Sequence, residues 1–375
     1  MAELHIGLEG IAVAETAISD VRGAVGQLVY RGHWVQDLVG KHSYEAVVYL
    51  LWNGDLPNEQ EEAEFTKYLA GMRELLPYQK QLIELLPKDL TPMEVIRTVV
   101  SSIHPQGEPY PPTAEQAADI LAKAPVIVAH HYNFHEGKEC VAPDATLGHA
   151  ANYLYMLHHK VPNEGITKAL EAYLILSADH GTNASTFTAR VVTGTNSDMV
   201  SAITAAIGAL IGPLHGGAPS HVDDMLDEIG TEDNIDNWIR NKLDNNERLM
   251  GFGHRVYKTY DPRAAALRSM VKQFAAENHL FKLSLQVEKR AVKLLEEYKP
   301  GRDLYPNLEF WAAGVLRTVK LPRTLYTSTF CIARIAGWAA NILEQANNNR
   351  LIRPSCIYTG PEPKGEAPGL PNLDD

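Results

Sequence analysis

Two histidines set among glycines are the residues of this chain best suited to moving protons. His215 lies in Gly-Pro-Leu-His-Gly-Gly-Ala (Gly212 to Ala218), and His254 lies in Met-Gly-Phe-Gly-His-Arg-Val-Tyr-Lys-Thr-Tyr-Asp-Pro-Arg (Met250 to Arg263). An imidazole exchanges protons near neutral pH, and glycine lets a ligand approach the main chain closely. Arg248, Arg255, Lys258 and Arg263 bracket the second histidine. Concentrated positive charge beside two imidazoles points to acid–base chemistry on an anionic substrate. A lone His-Gly-Gly would read as an ordinary loop; the pair, with its cations, favours function.

Four other places carry candidate chemistry. His180, in Ala-Asp-His-Gly-Thr-Asn-Ala-Ser (Ala178 to Ser185), fits a core or capping histidine as well as a ligand contact. Glu309 ends a Pro/Gly-punctuated loop that begins at Lys299 and carries Arg302, and it leads into an apolar helix, Phe310 to Val319. A helix-start carboxylate and a functional one are both open readings there. Arg334 and Arg353 stand in apolar company. A buried arginine needs an anionic partner, and a substrate carboxylate held in a two-pronged contact is one such partner. His131 and His135 have helical i, i+4 spacing, but with no third ligand nearby they read as a packed or solvated face rather than a metal site.

The elements that must position these groups are mostly helical. Gly10 to Tyr30 reads as an extended arm or short hairpin with Asp20 to Gly23 as its turn. Ser43 starts a helix that stops at Asn53-Gly54, and Thr91-Pro-Met-Glu94 forms a capping box with proline in the first helical position. Thr113 and Gln116 repeat that logic before Ala114 to Lys123, with Pro125 expected to bend or restart the helix. Ser197 is expected to cap Asp198 to Ile211, whose small residues allow close approach of another helix, as at a subunit contact. Pro219 is expected to start a helix ending at Gly230. Asp261-Pro262 places Arg263 in a first helical turn, where amides and dipole favour anions. Gln286 to Tyr298 and Leu325 to Gln345 are two more amphipathic helices, and the tail from Pro361 has little to bury.

The whole chain sets bounds. Its 375 residues can bury a large core and predict two domains, or one with an excursion. Apolar content of 45% and charged content of 21% are those of a soluble globular protein. A net charge of -12 argues against nucleic-acid or membrane-surface binding, so cations for an anionic ligand must be gathered locally. Three cysteines, Cys140, Cys331 and Cys356, suit a reducing compartment and neither a disulfide framework nor a Cys-x-x-Cys metal site. Met1 to Gly10 shows no apolar signal region, and Val200 to Leu214 is shorter than the roughly 20 residues of a membrane helix. The expectation is a cytoplasmic protein.

Taken together the motifs resemble the citrate synthase family. Pro-Leu-His-Gly-Gly-Ala, the Met250 to Arg263 stretch, Ala-Asp-His-x-x-Asn-Ala-Ser and Leu-Glu-Gln-x-x-Asn-Asn-Arg-Leu-Ile-Arg-Pro are similar to the shorter, dimeric bacterial and archaeal type, as is Gly-Leu-Glu-Gly at Gly7 to Gly10. They occur in the family's order over essentially the whole chain, and 2-methylcitrate synthases share them. The resemblance implies an all-α fold of two domains. The large one is formed by residues 1–217 and 319–375, and a small one, 218–318, is inserted; substrate sits in the cleft between them. It implies condensation of acetyl-CoA with oxaloacetate, without a metal or a permanently bound cofactor, in a homodimer. His215 would hydrogen-bond the thioester carbonyl, Glu309 would take the methyl proton, and His254 would polarise and protonate the oxaloacetate carbonyl. His180, Arg263 and Arg334 match residues that grip oxaloacetate, and Arg353 matches one from the neighbouring subunit. Arg248, Met250, Gly251, Phe252, Gly253, Lys258 and Arg302 lie where such enzymes hold coenzyme A.

One position departs from the pattern. Most members carry aspartate where this chain has Glu309, a carboxylate one methylene longer. A misplacement of about an angstrom can cost roughly 100-fold in rate. Readings from other classes are a weakly active homologue that binds CoA or dicarboxylate as a sensor, and a metal-binding helical protein built on His131 and His135.

Overall fold

The structure, a computed structural model, describes residues 4–8, 10–215, 220–254, 256–275 and 279–364. Gly216, Gly217, Ala218, Pro219 and Arg255 therefore lie outside the described residues, as does the chain from residue 365.

An antiparallel sheet comes first: β1 (Ser19–Arg22), β2 (Gln27–Tyr30) and β3 (His33–Trp34). Ser19 pairs with Tyr30 and Arg22 with Gln27, so Asp20 to Arg22 are strand and the reversal falls at residues 23–26, later than the expected turn. Gly26 closes it at φ 65°, a conformation that favours glycine.

Helices follow: α1 (Val35–Leu38), α2 (Tyr44–Asn53), α3 (Glu59–Gly71), α4 (Pro77–Leu85), α5 (Pro92–Ser101), α6 (Ala114–His135), α7 (His149–His158) and α8 (Glu164–Ser177). Then come α9 (Ala184–Thr193), α10 (Met199–Ile211), α11 (Ser220–Ile229), α12 (Ile235–Asp244), α13 (Pro262–Ala275), α14 (His279–Tyr298), α15 (Leu308–Thr318) and α16 (Tyr326–Asn347). The fold is all-α apart from the hairpin. No helix among the described residues is long and apolar enough to cross a membrane.

Capping chemistry explains most starts. Ser43, Thr91 and Thr113 each accept a hydrogen bond from the third helical residue of α2, α5 and α6, an interaction worth about 1 kcal/mol. Several boundaries differ from expectation, α14 among them, which starts at His279 and not at Gln286. The cap of α10 is Asp198, not Ser197, its carboxylate accepting from Ser201 N–H at 2.8 Å. α6 runs on through Pro125 to His135. The buried wall around it holds the helix where one lost amide bond alone would not end it. α15 begins at Leu308, so Glu309 sits inside the first turn instead of before it.

α16 is the hub. Its Ala/Gly-rich surface is buried nearly throughout, packed on α2, α6, α8, α9 and α10. Gly337 N–H donates to Ala178 O at 3.1 Å, and a side chain there would collide with Ala178 and Asp179. That close approach carries Arg334 of α16 against the loop bearing His180.

Candidate active site

Widely separated stretches of the chain converge on one cleft of about 1000 Å³, lined among others by His180, His215, His254, Arg263, Glu309 and Arg334. Each is fixed by its own local structure.

The His180 loop is pinned by the buried Asp179. Its carboxylate accepts from Ser19 Oγ–H of the hairpin, from Gly181 N–H at 3.0 Å and from Asn341 Nδ2–H of α16 at 3.1 Å. Tyr30 O–H donates to the Asp179 carbonyl at 2.6 Å. The hairpin, α16 and the His180 loop are thus tied through one residue. Burial pushes the Asp179 carboxyl above its usual range, and Arg334 opposes that shift. Arg334 itself is 2% exposed, with Nε–H donating to Ser177 O at 2.7 Å and its guanidinium 4.7 Å from the Phe330 ring centroid.

The stretch 250–254 is laced to the stretch 304–307. Gly253 N–H donates to Tyr305 O at 2.8 Å, Asn307 N–H to Gly251 O at 2.9 Å, and Asn307 Nδ2–H to Gly253 O at 2.9 Å. Gly251, at φ 80°, lies where a Cβ would sit 2.9 Å from Phe310 Cβ and Val222 Cγ2. Glycine is required there both by conformation and by space. This short ladder carries His254 at one end and Glu309 at the other.

Asp261 completes the frame. Its carboxylate takes Arg263 Nε–H at 3.0 Å and Nη2–H at 2.8 Å, and it also accepts Leu308 N–H at 3.0 Å. The cation of Arg263, 5% exposed, is therefore held in a fork and linked directly to the helix that carries Glu309.

The two glycine-embedded imidazoles are held in opposite tautomers by their partners. Val256 N–H and Tyr257 N–H both donate to His254 Nδ1, at 3.0 and 3.1 Å. Nδ1 must then be bare, and a neutral ring carries its proton on Nε2. Arg263 Nη2 lies 3.3 Å from that Nε2. Two donors meet there, so an acceptor oxygen from a ligand fits between them. At His215 the roles reverse: Ser185 N–H donates to Nε2 at 3.3 Å and Ser185 Oγ lies 2.7 Å from it. The proton is therefore on Nδ1. Trp338 Nε1–H donates to Ser185 Oγ at 3.0 Å, and Asn183 Oδ1 lies 2.8 Å from the same oxygen.

Electrostatics agree with the tautomers. Burial, then neighbouring cations, lower His215 and His254 to about 4, and the same causes hold His180 well below its ordinary range. All three imidazoles are neutral at pH 7. Burial raises Glu309 to about 7 against the pull of Arg263. A carboxylate poised at working pH, beside two neutral N–H donors and two buried arginines, can take a proton from carbon and stabilise the oxyanion that results.

Not every candidate joins the cleft. Arg248, Lys258 and Arg302 are exposed and do not line it, while Met250 is half-buried. Gly251, Phe252 and Gly253 belong to the ladder, with Phe252 packed on Phe310 at 5.0 Å between ring centroids. Arg353 is exposed and lines a neighbouring cavity with Arg190, Glu344 and Arg350. His131 and His135 pack ring to ring at 4.5 Å, and among the described residues no three side chains are grouped to hold a metal. Sequence reasoning missed Ser185, Tyr257 and Asp261, whose roles come from contacts across the fold. It also missed the segment from Gly7 to Ala14, parts of which line the cleft.

Comparison with known proteins gives a consistent picture. The family model described as "Citrate synthase, C-terminal domain" matches residues 7–355. The citrate synthase of Haloferax volcanii is 40% identical, covering 96% of this chain and 96% of that one. 2-Methylcitrate synthase 2 of Corynebacterium glutamicum is 39% identical, covering 98% of this chain and 97% of that one. Among solved structures, citrate synthase of Thermoplasma acidophilum, in a ternary complex with carboxymethyl coenzyme A and oxaloacetate, superposes with a TM-score of 0.87. It is 28% identical and covers 98% of this chain and 99% of that one.

Proposed function

The chain belongs to the citrate synthase family, and from that premise we propose that it condenses acetyl-CoA with oxaloacetate and water to give citrate and free CoA. The observation that carries the reading is the pair of neutral imidazoles, held in opposite tautomers by backbone N–H groups, facing one cleft with a carboxylate raised to about 7.

The roles follow from the tautomers. His215 Nδ1–H donates to the thioester carbonyl oxygen while Glu309 takes a proton from the methyl carbon. Removing such a weakly acidic proton needs both: one well-placed donor contributes on the order of 3 kcal/mol to the developing enolate, and alignment of the reactants contributes roughly 7–11 kcal/mol. The enolate carbon then attacks the oxaloacetate carbonyl carbon, and His254 Nε2–H gives its proton to the carbonyl oxygen. Water then cleaves the citryl thioester: its oxygen joins the acyl carbon as the C–S bond breaks, its proton returns to His254 Nε2, and the proton on Glu309 leaves on the CoA sulfur. His180, Arg263 and Arg334 hold the dicarboxylate. Asp261 already neutralises Arg263, so the net positive charge offered to the substrate comes chiefly from Arg334.

In this reading residues 218–318 form the smaller domain, closing on the rest, and exposed Arg248, Lys258 and Arg302 bind CoA phosphates. A homodimer supplies Arg353 from its partner. The outward stripe of α10 (Ser201, Ala205, Gly208 and Ala209) is small enough for a second copy to approach closely. Sedimentation at working concentration tests the dimer.

Relatives of comparable identity include 2-methylcitrate synthases, so propionyl-CoA is the competing acyl donor. One methylene discriminates by only about 1–3 kcal/mol in an apolar pocket. Release of free thiol, with oxaloacetate and either thioester, compares kcat/KM directly. Faster turnover of acetyl-CoA supports the proposal, faster turnover of propionyl-CoA moves the chain to 2-methylcitrate formation, and no release from either overturns the condensation.

A further inference from the structure

Tyr257 stands where the two histidines that face the dicarboxylate meet. The turn Gly-His-Arg-Val-Tyr wraps back so that Tyr257 N–H bonds His254 Nδ1 at 3.1 Å, and the phenol continues past that ring to His180. Tyr257 Oη lies 3.1 Å from His180 Nε2, the sole hydrogen bond to the His180 ring among the described residues. The three rings form one cluster: His180 and His254 centroids are 5.4 Å apart, His180 and Tyr257 5.5 Å, and His254 and Tyr257 4.8 Å. The guanidinium of Arg263 lies 5.7 Å from the Tyr257 ring centroid, so the same side chain also backs an arginine of the site. Tyr257 is 2% exposed, and no other hydrogen-bond partner for its hydroxyl is found among the described residues.

The direction of the bond is set by chemistry. Burial raises the phenol far above its ordinary range and holds His180 neutral, so neither group ionises at working pH. Between a neutral phenol and a neutral imidazole the phenol is the better donor and the bare ring nitrogen the better acceptor. Tyr257 O–H therefore donates to His180 Nε2, which leaves the His180 proton on Nδ1.

We infer that Tyr257 is a positioning residue for oxaloacetate: its hydroxyl fixes His180 as the Nδ1–H tautomer, and its amide fixes His254 as the Nε2–H tautomer. This rests on the proposed condensation for its substrate but not for its tautomers. Both rings then present a hydrogen-bond donor to an anionic substrate, and one residue orients them together. Without the hydroxyl His180 can rotate or exchange tautomers, and only part of the population keeps the binding geometry.

Tyr257→Phe isolates the hydroxyl, since it keeps the ring, the backbone bond to His254 and the face under Arg263. Loss of one such bond is expected to raise KM for oxaloacetate about tenfold, with KM for the thioester unchanged and the melting temperature only slightly lowered. In ¹⁵N spectra of the substrate-free protein, wild-type His180 should show a protonated Nδ1 and a bare Nε2, and the variant should show averaging between the two forms. An unchanged oxaloacetate KM in the variant, or a wild-type His180 with its proton on Nε2, overturns the inference. A wild-type protein that turns over neither thioester yet shows the expected tautomer overturns the condensation and supports the role of Tyr257 in holding the ring.

Discussion

The sharpest test of the base is the pH dependence of kcat/KM. Glu309 must be ionised to accept a proton from carbon, and burial raises its carboxyl to about 7 in the substrate-free site. The sign follows directly: below that value the base is protonated and idle, above it the base is competent, so activity rises with pH. One unit below the midpoint about a tenth of the molecules carry the ionised form, and one unit above about nine-tenths do. Between about pH 6 and pH 8 kcat/KM should therefore climb about tenfold along a single rising limb. No histidine limb overlaps it, because burial lowers His215 and His254 to about 4 and both stay neutral throughout this window. Thiol release under subsaturating substrates, in buffers of constant ionic strength, gives the profile. Glu309→Gln should lower kcat/KM by roughly 100- to 10,000-fold and remove the limb. A flat wild-type profile from about pH 5.5 to 8.5, or a limb that survives in Glu309→Gln, would refute the assignment of Glu309 as base.

Further outcomes follow from the same frame. Glu309→Asp shortens the carboxylate by one methylene in a frame set for the longer side chain, and should cost roughly 100-fold in kcat with oxaloacetate affinity retained; equal rates would show that the ladder tolerates either length. Arg334→Leu should weaken oxaloacetate binding by roughly 10- to 100-fold, measured by calorimetric titration, whereas His215→Ala should leave that binding nearly intact while turnover collapses. Gly251→Ala must adopt φ near 80° and push against Phe310 and Val222, so it should destabilise the fold by about 1–3 kcal/mol in thermal melts; an unchanged melting temperature would contradict the packing described.

Local chemistry was legible in the chain and distant contact was not. The starts of α2 and α5 could be read because Ser43 and Thr91 bond amides three residues away. His215, His254, His180, Arg263, Arg334 and Glu309 stood out because their types and glycine-rich settings are unusual, and the fold brings all six to one cleft. Pro125 does not restart the helix, because a buried helix outlasts one missing amide. Ser197 misled because Asp198, beside it, caps as well and lies in register. Ser185, Tyr257 and Asp261 could not be read, since a serine, a tyrosine and an aspartate acquire meaning only from the His215, His180 and Leu308 atoms they meet. Arg248, Lys258 and Arg302 were legible as cations but not as to their place, which is on the surface outside the cleft lining.

The ladder between residues 250–254 and 304–307, locked by Asp261 to the start of α15, has a consequence for inheritance. His254, the proposed proton donor, and Glu309, the proposed base, are joined through this ladder although they are encoded far apart. Their separation is a property of neither loop alone. A chimera that takes one of these segments from a relative and leaves the other behind mismatches the rungs and shifts both groups at once. Exchanged together, with Asp261, they carry the geometry across intact. The unit that drift can replace without loss of chemistry is therefore the paired segment, not the single residue.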